Sequence, residues 1–324
     1  MKAPQPLNKL TVDVLIDNQC DSYSSRPDHV SSEFSNVVAA GAREISGVTL
    51  CCAQLGLSLM LTGQAEGKRH KLLFDAGPEG AIFIRNCKNL GVPLEDTEAI
   101  AVSHGHWDHM GALTAALDEI TTHRRPVPCH VNPGMFIERA VRLSSGEIVP
   151  LVNVPGPEEL TGRGAEVISS GAARMLLDGF FYLSGEIPRL TPFEKGRQDH
   201  LYRDNGGLSW RPDPLLMDER YLVANIRGKG LIVFSSCSHA GVVNVLIDVR
   251  RTIPGVPIHC VFGGLHLVGS LEAIIPDTVE HLRRFNLKQI VPAHCSGFRA
   301  QHALLSAFGE TVVVPSAVGS RYSF

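Results

Sequence analysis

Ser103-His104-Gly105-His106-Trp107-Asp108-His109 is the stretch on which the reading of this chain turns. It follows a short apolar run, Ala99 to Val102, and precedes small residues with helical spacing, Gly111 to Ile120. Three histidines and a carboxylate thus fall where a strand would end and a helix begin, the position at which α/β proteins hold ligands. Neutral imidazole and carboxylate both suit zinc and similar divalent ions. Residues two apart in extended chain point the same way, so His104 and His106 are expected to share one ion. Asp108 and His109, past the bend, would face a second ion close by. Gly105 is expected to keep side-chain bulk out of the site. The competing reading, a histidine-rich surface loop, is disfavoured by the apolar strand directly before the motif.

Outward from that motif, apolar runs predict strands over Leu10 to Ile16, Leu57 to Thr62, Lys71 to Phe74, Tyr221 to Ala224, Gly230 to Ser235, Ile258 to Phe262 and Gln289 to Val291. Helical spacing marks Glu79 to Leu90, Gly241 to Thr252 and Pro276 to Phe285, with a last helix capped by Ser296 and stopped by Gly309. His104, His106, His109, His239, His266 and His294 all lie just past a predicted strand. His29, His70, His123, His200, His281 and His302 read as solvated or structural, His259 as part of a strand, and His130 as a residue within possible reach of the site.

Thr121 to Asp213 is rich in Pro and Gly and shows few clear elements. It reads as an insertion that caps the site, since long segments on a rigid scaffold carry specificity. Phe180-Phe-Tyr182 and Phe193 would give it aromatic surface. Arg189 would read a phosphate through its planar fork, with Glu186 beside it. The whole chain, 1–324, is expected to form one domain around this insertion.

The totals bound the function class. Of 324 residues, 44% are hydrophobic and 19% charged, as in ordinary globular proteins. A net charge of −3 gives no argument for nucleic acid or an anionic membrane as partner. Eight cysteines are not a disulfide framework. Met1 to Lys9 show no apolar signal-like run, and no 18-residue apolar stretch occurs, so neither a secretory signal nor a membrane span is expected. A cytoplasmic protein with a small-molecule substrate follows as the default, with a homo-oligomer left open.

His104-Gly-His106-Trp-Asp108-His109 resembles the signature of the metallo-β-lactamase superfamily, and Leu72-Leu-Phe-Asp75-Ala-Gly77 its earlier strand-plus-Asp motif. Gly185-Glu-Ile-Pro-Arg189, Cys237-Ser-His239-Ala-Gly241, Gly263-Gly-Leu-His266-Leu and Ala293-His294-Cys-Ser-Gly297 resemble one subfamily more closely. That group is similar to 7,8-dihydropterin-6-methyl-4-(β-D-ribofuranosyl)aminobenzene-5′-phosphate synthase. The match runs from Leu10 to Gly309. It implies an α/β (α+β) fold, a four-layer αββα sandwich with the site at one edge between the two sheets.

Six strand-end histidines and Asp108 fit a two-metal centre, in which ions roughly 3.5–4 Å apart activate water and polarise a carbonyl or phosphoryl oxygen. The expected assignment places His104, His106 and His239 on one ion, and Asp108, His109 and His294 on the other. Zinc is the first choice, one or two ions, with manganese or iron as alternatives. Asp108 would also orient the nucleophile. Asp75 resembles the superfamily's Asp that orients a ligand histidine. One departure stands out: the late strand where the superfamily has a bridging Asp or Cys reads Val233-Phe-Ser-Ser-Cys237 here. Cys237, His266 or Asp218 would fill that gap, or His266 would serve as a general acid. The resemblance implies transfer of a dihydropterin-methyl group from its diphosphate to a ribosyl-aminobenzene phosphate. The rival readings are a lactonase or β-lactamase-like hydrolase, an iron redox centre, and a non-catalytic metal-bound binding protein.

Overall fold

A computed structural model describes residues 2–121, 126–204 and 206–324, so His123 lies outside the described residues. Two large sheets face each other. One has eight strands, ordered Ala165–Ser169, Val127–Val131, Ala99–Ala101, Lys68–Phe74, Ser58–Ala65, Lys9–Ile16, Arg321–Ser323 and Val30–Ser31. The other has seven, running from Arg174–Leu176 through Phe181–Leu183, Leu222–Ile226, Gly230–Cys237 and Ile258–Gly264 to Gln289–Ala293, with Pro6–Leu7 paired to Leu222–Ile226.

Alternation along the strands decides the packing. In Lys9–Ile16, Leu10, Val12 and Val14 enter the layer between the sheets, where they meet Phe181, Phe234, Phe262 and Val291. Residues of opposite parity, such as Met60, Leu73 and Ile100, face outward onto the helices Gly80–Asn89 and Leu113–Ile120. On the far side, Val233 and Val261 pack under the helices Val242–Thr252, Ile275–Arg283 and Phe298–Phe308. Helix, sheet, sheet and helix make the expected four-layer αββα sandwich.

Two runs of parallel strands position the site. Lys68–Phe74, Ala99–Ala101 and Val127–Val131 run parallel in the first sheet, and Gly230–Cys237, Ile258–Gly264 and Gln289–Ala293 in the second. Asp75 and His104 follow strands of the first run. Cys237, His266 and His294 stand at or just past the ends of the second. The loops at these ends are tightly wound, with positive φ at Asp75 (57°), His266 (52°) and His294 (44°). Non-glycine residues rarely adopt that conformation, and such outliers cluster at functional sites.

The described residues of 121–213 are more ordered than their composition predicts. Val127–Val131 and Ala165–Ser169 extend the first sheet, and Arg174–Leu176 and Phe181–Leu183 extend the second. What stands apart is a four-stranded sheet of Glu138–Arg142, Ile148–Pro150, His200–Arg203 and Arg211–Pro212. The aromatic run expected on a cap surface is core instead. Phe180 and Phe181 lie between the sheets and Tyr182 under the outer helices, because the strand Phe181–Leu183 is paired in the main sheet. Ser296 does not cap the last helix, whose N-cap residue is Gly297. Its hydroxyl accepts from the Leu265 amide and donates to the Gly263 carbonyl, tying two strand ends together.

Candidate metal centre

The motif at 103–109 is built against a buried carboxylate. Asp75 accepts the Ser103 amide and hydroxyl at 2.7 Å each, and the His109 Nδ1–H at 2.8 Å. The single Ser103 hydroxyl proton goes to Asp75, so the Ser103 oxygen accepts from His104 Nδ1 at 2.9 Å. His104 and His109 are therefore both Nδ1–H tautomers, assigned from the network, and each turns the lone pair of Nε2 inward.

Those lone pairs converge with others. His104 Nε2 lies 3.0 Å from His106 Nδ1 and 3.2 Å from His239 Nε2. Burial, reinforced by the neighbouring imidazoles, holds all three histidines well below the usual imidazole range, so they are neutral donors. His294 gives its Nδ1–H to Asn18 Oδ1 at 3.3 Å and faces His109 with Nε2 to Nε2 at 3.3 Å. Asp108 Oδ2 is 3.4 Å from His294 Nε2 and 3.8 Å from His109 Nε2. Burial opposes charge on Asp108, yet His109 and the hydrogen bond with His294 hold its carboxyl at about 2. Burial likewise opposes charge on His294, but Cys295 and Asp108 push it up to about 9. Without an ion a proton on His294 links these groups, and a divalent cation would replace it between the two ring nitrogens and the carboxylate oxygen. The donor chemistry of both groups, three nitrogens in one and two nitrogens with an oxygen in the other, fits zinc or a similar divalent ion.

Several residues take roles other than those expected. Asp218 faces the backbone: its Oδ2 accepts the Gly105 amide at 2.8 Å and its Oδ1 pairs with Arg139 at 2.7 Å. It positions the loop between His104 and His106 and stands in none of the candidate donor groups. Gly105 is needed for a different neighbour, since a Cβ there would lie 2.3 Å from the Met135 carbonyl oxygen. Arg189 spends its guanidinium on the carbonyls of Ile187 and Leu215, while Glu186 is exposed. Cys237 does reach the centre: its Sγ groups with His104 and His109, and separately with His266 and Cys295.

His200, read as solvated or structural, is instead 8% exposed, with its ring 5.4 Å from those of both His106 and His239. Its Nδ1 is buried without a partner. Nothing in its local sequence pointed inward, because the four-stranded sheet that carries it was not predicted. Glu219 was also missed; it accepts the amides of His239 and Ala240 and so shapes the turn that presents His239. His29 and His70 hold the structural places expected of them, bonded to Gln289 and Glu98.

Residues 62–177 match the family model of the metallo-beta-lactamase superfamily. The chain is 27% identical over 261 residues to 7,8-dihydropterin-6-methyl-4-(beta-D-ribofuranosyl)-aminobenzene-5'-phosphate synthase of Methanocaldococcus jannaschii, covering 80% of this chain and 86% of that protein. Among solved structures it is similar to Tm1679, a metal-dependent hydrolase of the beta-lactamase superfamily, with a TM-score of 0.70, 20% identity, and 96% and 98% of the two chains covered. It is also similar to the metallo-beta-lactamase fold protein YhfI of Bacillus subtilis, with a TM-score of 0.52, 10% identity, and 98% and 100% covered.

Proposed function

From a chain with the metallo-β-lactamase fold and this donor set between its sheets, we propose a metal-dependent enzyme acting on a small phosphorylated heteroaromatic metabolite. A dihydropterin diphosphate is the first candidate, with its methyl carbon transferred to a ribosyl-aminobenzene phosphate. The observation that carries the reading is the convergence of Nε2 of His104, His109, His239 and His294 with Nδ1 of His106 and the carboxylate of Asp108. The relative named for a synthase of such a product supports the substrate class.

In this reading His104, His106 and His239 hold one ion, and Asp108, His109 and His294 the other. Zinc is preferred, with manganese or iron as alternatives. The bound ion would supply Lewis-acid stabilisation of charge developing on the leaving diphosphate. The protein does the rest. Asp75 fixes the tautomer of His109 directly and that of His104 through Ser103. Asp108 keeps its negative charge across the neutral pH range and stays available to orient the incoming group. His266, whose Nε2 is buried and unpartnered, would give a proton to the leaving group or contact it. The four-stranded sheet acts as the cap, and His200 is the side chain by which it meets substrate. The protein works in the cytoplasm on a small molecule, as a monomer or homo-oligomer, without nucleic acid or membrane.

The test is metal content of protein purified without added metal, together with product analysis. The enzyme is offered a dihydropterin-methyl diphosphate with and without the ribosyl-aminobenzene phosphate acceptor, and a lactone panel beside it. Coupled product that requires the acceptor and bound metal is the expected result. Diphosphate release unaffected by acceptor would make the enzyme a hydrolase. Turnover of lactones alone, or protein that binds no metal, would overturn the proposal.

A further inference from the structure

A second kind of donor chemistry lies beside the histidines. Three neighbouring parallel strands, Gly230–Cys237, Ile258–Gly264 and Gln289–Ala293, each deliver one soft ligand at or just past the carboxyl end: Cys237, His266 and Cys295. Cys237 Sγ lies 3.1 Å from Cys295 Sγ and 3.2 Å from His266 Nδ1. The three side chains are 2%, 8% and 7% exposed for Cys237, Cys295 and His266, so water does not compete for them. The backbone makes room for the cluster. A Cβ on Gly264 would stand 2.5 Å from Cys295 Sγ, and His266 meets Cys237 from a left-handed backbone with φ of 52°.

We propose that Cys237, His266 and Cys295 form a thiolate-rich metal site, distinct in donor set from the two histidine groups, that takes a thiophilic divalent ion such as zinc or cadmium. Thiolate and imidazole are the ligands such ions prefer. Zinc–sulfur bonds of about 2.3 Å would open the two sulfurs to roughly 3.8 Å in tetrahedral geometry, a small side-chain adjustment. The ion would take both sulfurs as thiolates. Cys237 Sγ is also grouped with His104 and His109, so the proposed site borders the histidine centre.

The experiment is a titration of the full-length, metal-stripped, reduced protein with cobalt(II) and, separately, cadmium(II). The readout is the near-ultraviolet thiolate-to-metal charge-transfer band, followed beside the visible cobalt bands that any bound cobalt gives. The expected result is a thiolate band that grows with metal and disappears in the C237S/C295S double variant. In wild-type protein, cadmium should also protect Cys237 and Cys295 from alkylation, as read by peptide mass, which needs no variant to fold. Visible cobalt bands without a thiolate band would overturn the proposal while leaving the histidine centre standing. A Cys237–Cys295 disulfide in protein kept under reductant, or alkylation of both cysteines unaffected by cadmium, would overturn it as well.

Discussion

At the scale of single residues, the centre depends on side chains that never need to touch a metal. Asp75 orders His109 and Ser103 at once, so the Asp75→Asn substitution turns an acceptor into a donor facing a ring nitrogen. We expect metal affinity to fall about 10–100-fold, measured by chelator competition. An unchanged affinity would mean that the His109 tautomer does not depend on Asp75. Glu194 offers a pH test. Burial pushes its carboxyl up to about 7 from 4.5, against donors from Val243, Asn244 and Thr191. Its folded pKa is above the unfolded one, so the stability it contributes is full below pH 4.5 and lost as pH rises through 7. Relative to wild type, the Glu194→Gln protein should lose that slope, a difference on the order of 3 kcal/mol across the window. Parallel unfolding profiles for the two proteins between those pH values would count against it.

At the scale of elements, the four-stranded sheet is tied to the metal loop through ions. Arg139, on Glu138–Arg142, pairs with Asp218 and Asp213 at 2.7 Å each, and Asp218 in turn holds the Gly105 amide. Arg139→Met would leave the buried Asp218 and the half-buried Asp213 without their cation and should destabilise the protein by about 3–5 kcal/mol, read from denaturant midpoints; no shift would show that water reaches the carboxylates. His200, on His200–Arg203, tests whether this sheet meets substrate. His200→Ala should raise KM several-fold with bound metal unchanged. Loss of metal instead would make His200 part of the metal set. These ties were hidden in the sequence because the partners lie far apart along the chain: 105, 139, 213 and 218 carry no common periodicity. The Pro- and Gly-rich composition of 121–213 concealed its strands for a related reason, since they are short and are held by pairing to neighbours rather than by their own propensity.

At the scale of the molecule, the centre lies where parallel strands of both sheets end, so bound metal should clamp the two halves of the sandwich together. A ligand at about 100 times its Kd adds roughly 2.7 kcal/mol to stability. Chelation should therefore lower Tm by several degrees, and adding zinc back should restore it; identical melting curves would place the metal outside the cooperative unit. Among the described residues, no helix is long and apolar enough to cross a membrane.

The sequence by itself marked most of the strands and helices and the six histidines that follow strands, because these are local matters of alternation, strand length and side chains at fixed offsets along one segment; the layered fold came from the motifs' resemblance to a known superfamily. The sequence also marked Asp75 and Asp108. Only the tertiary structure decided that Asp218 holds backbone, that Arg189 is occupied with carbonyls, that Phe180 and Phe181 are core, that His200 turns inward, and that Cys295 meets Cys237 and His266. Apart from the bond of Arg189 to the nearby Ile187 carbonyl, each of these is a contact between segments far apart in the chain, set by sheet order and by which face of a strand is covered, and no spacing within a single segment encodes it.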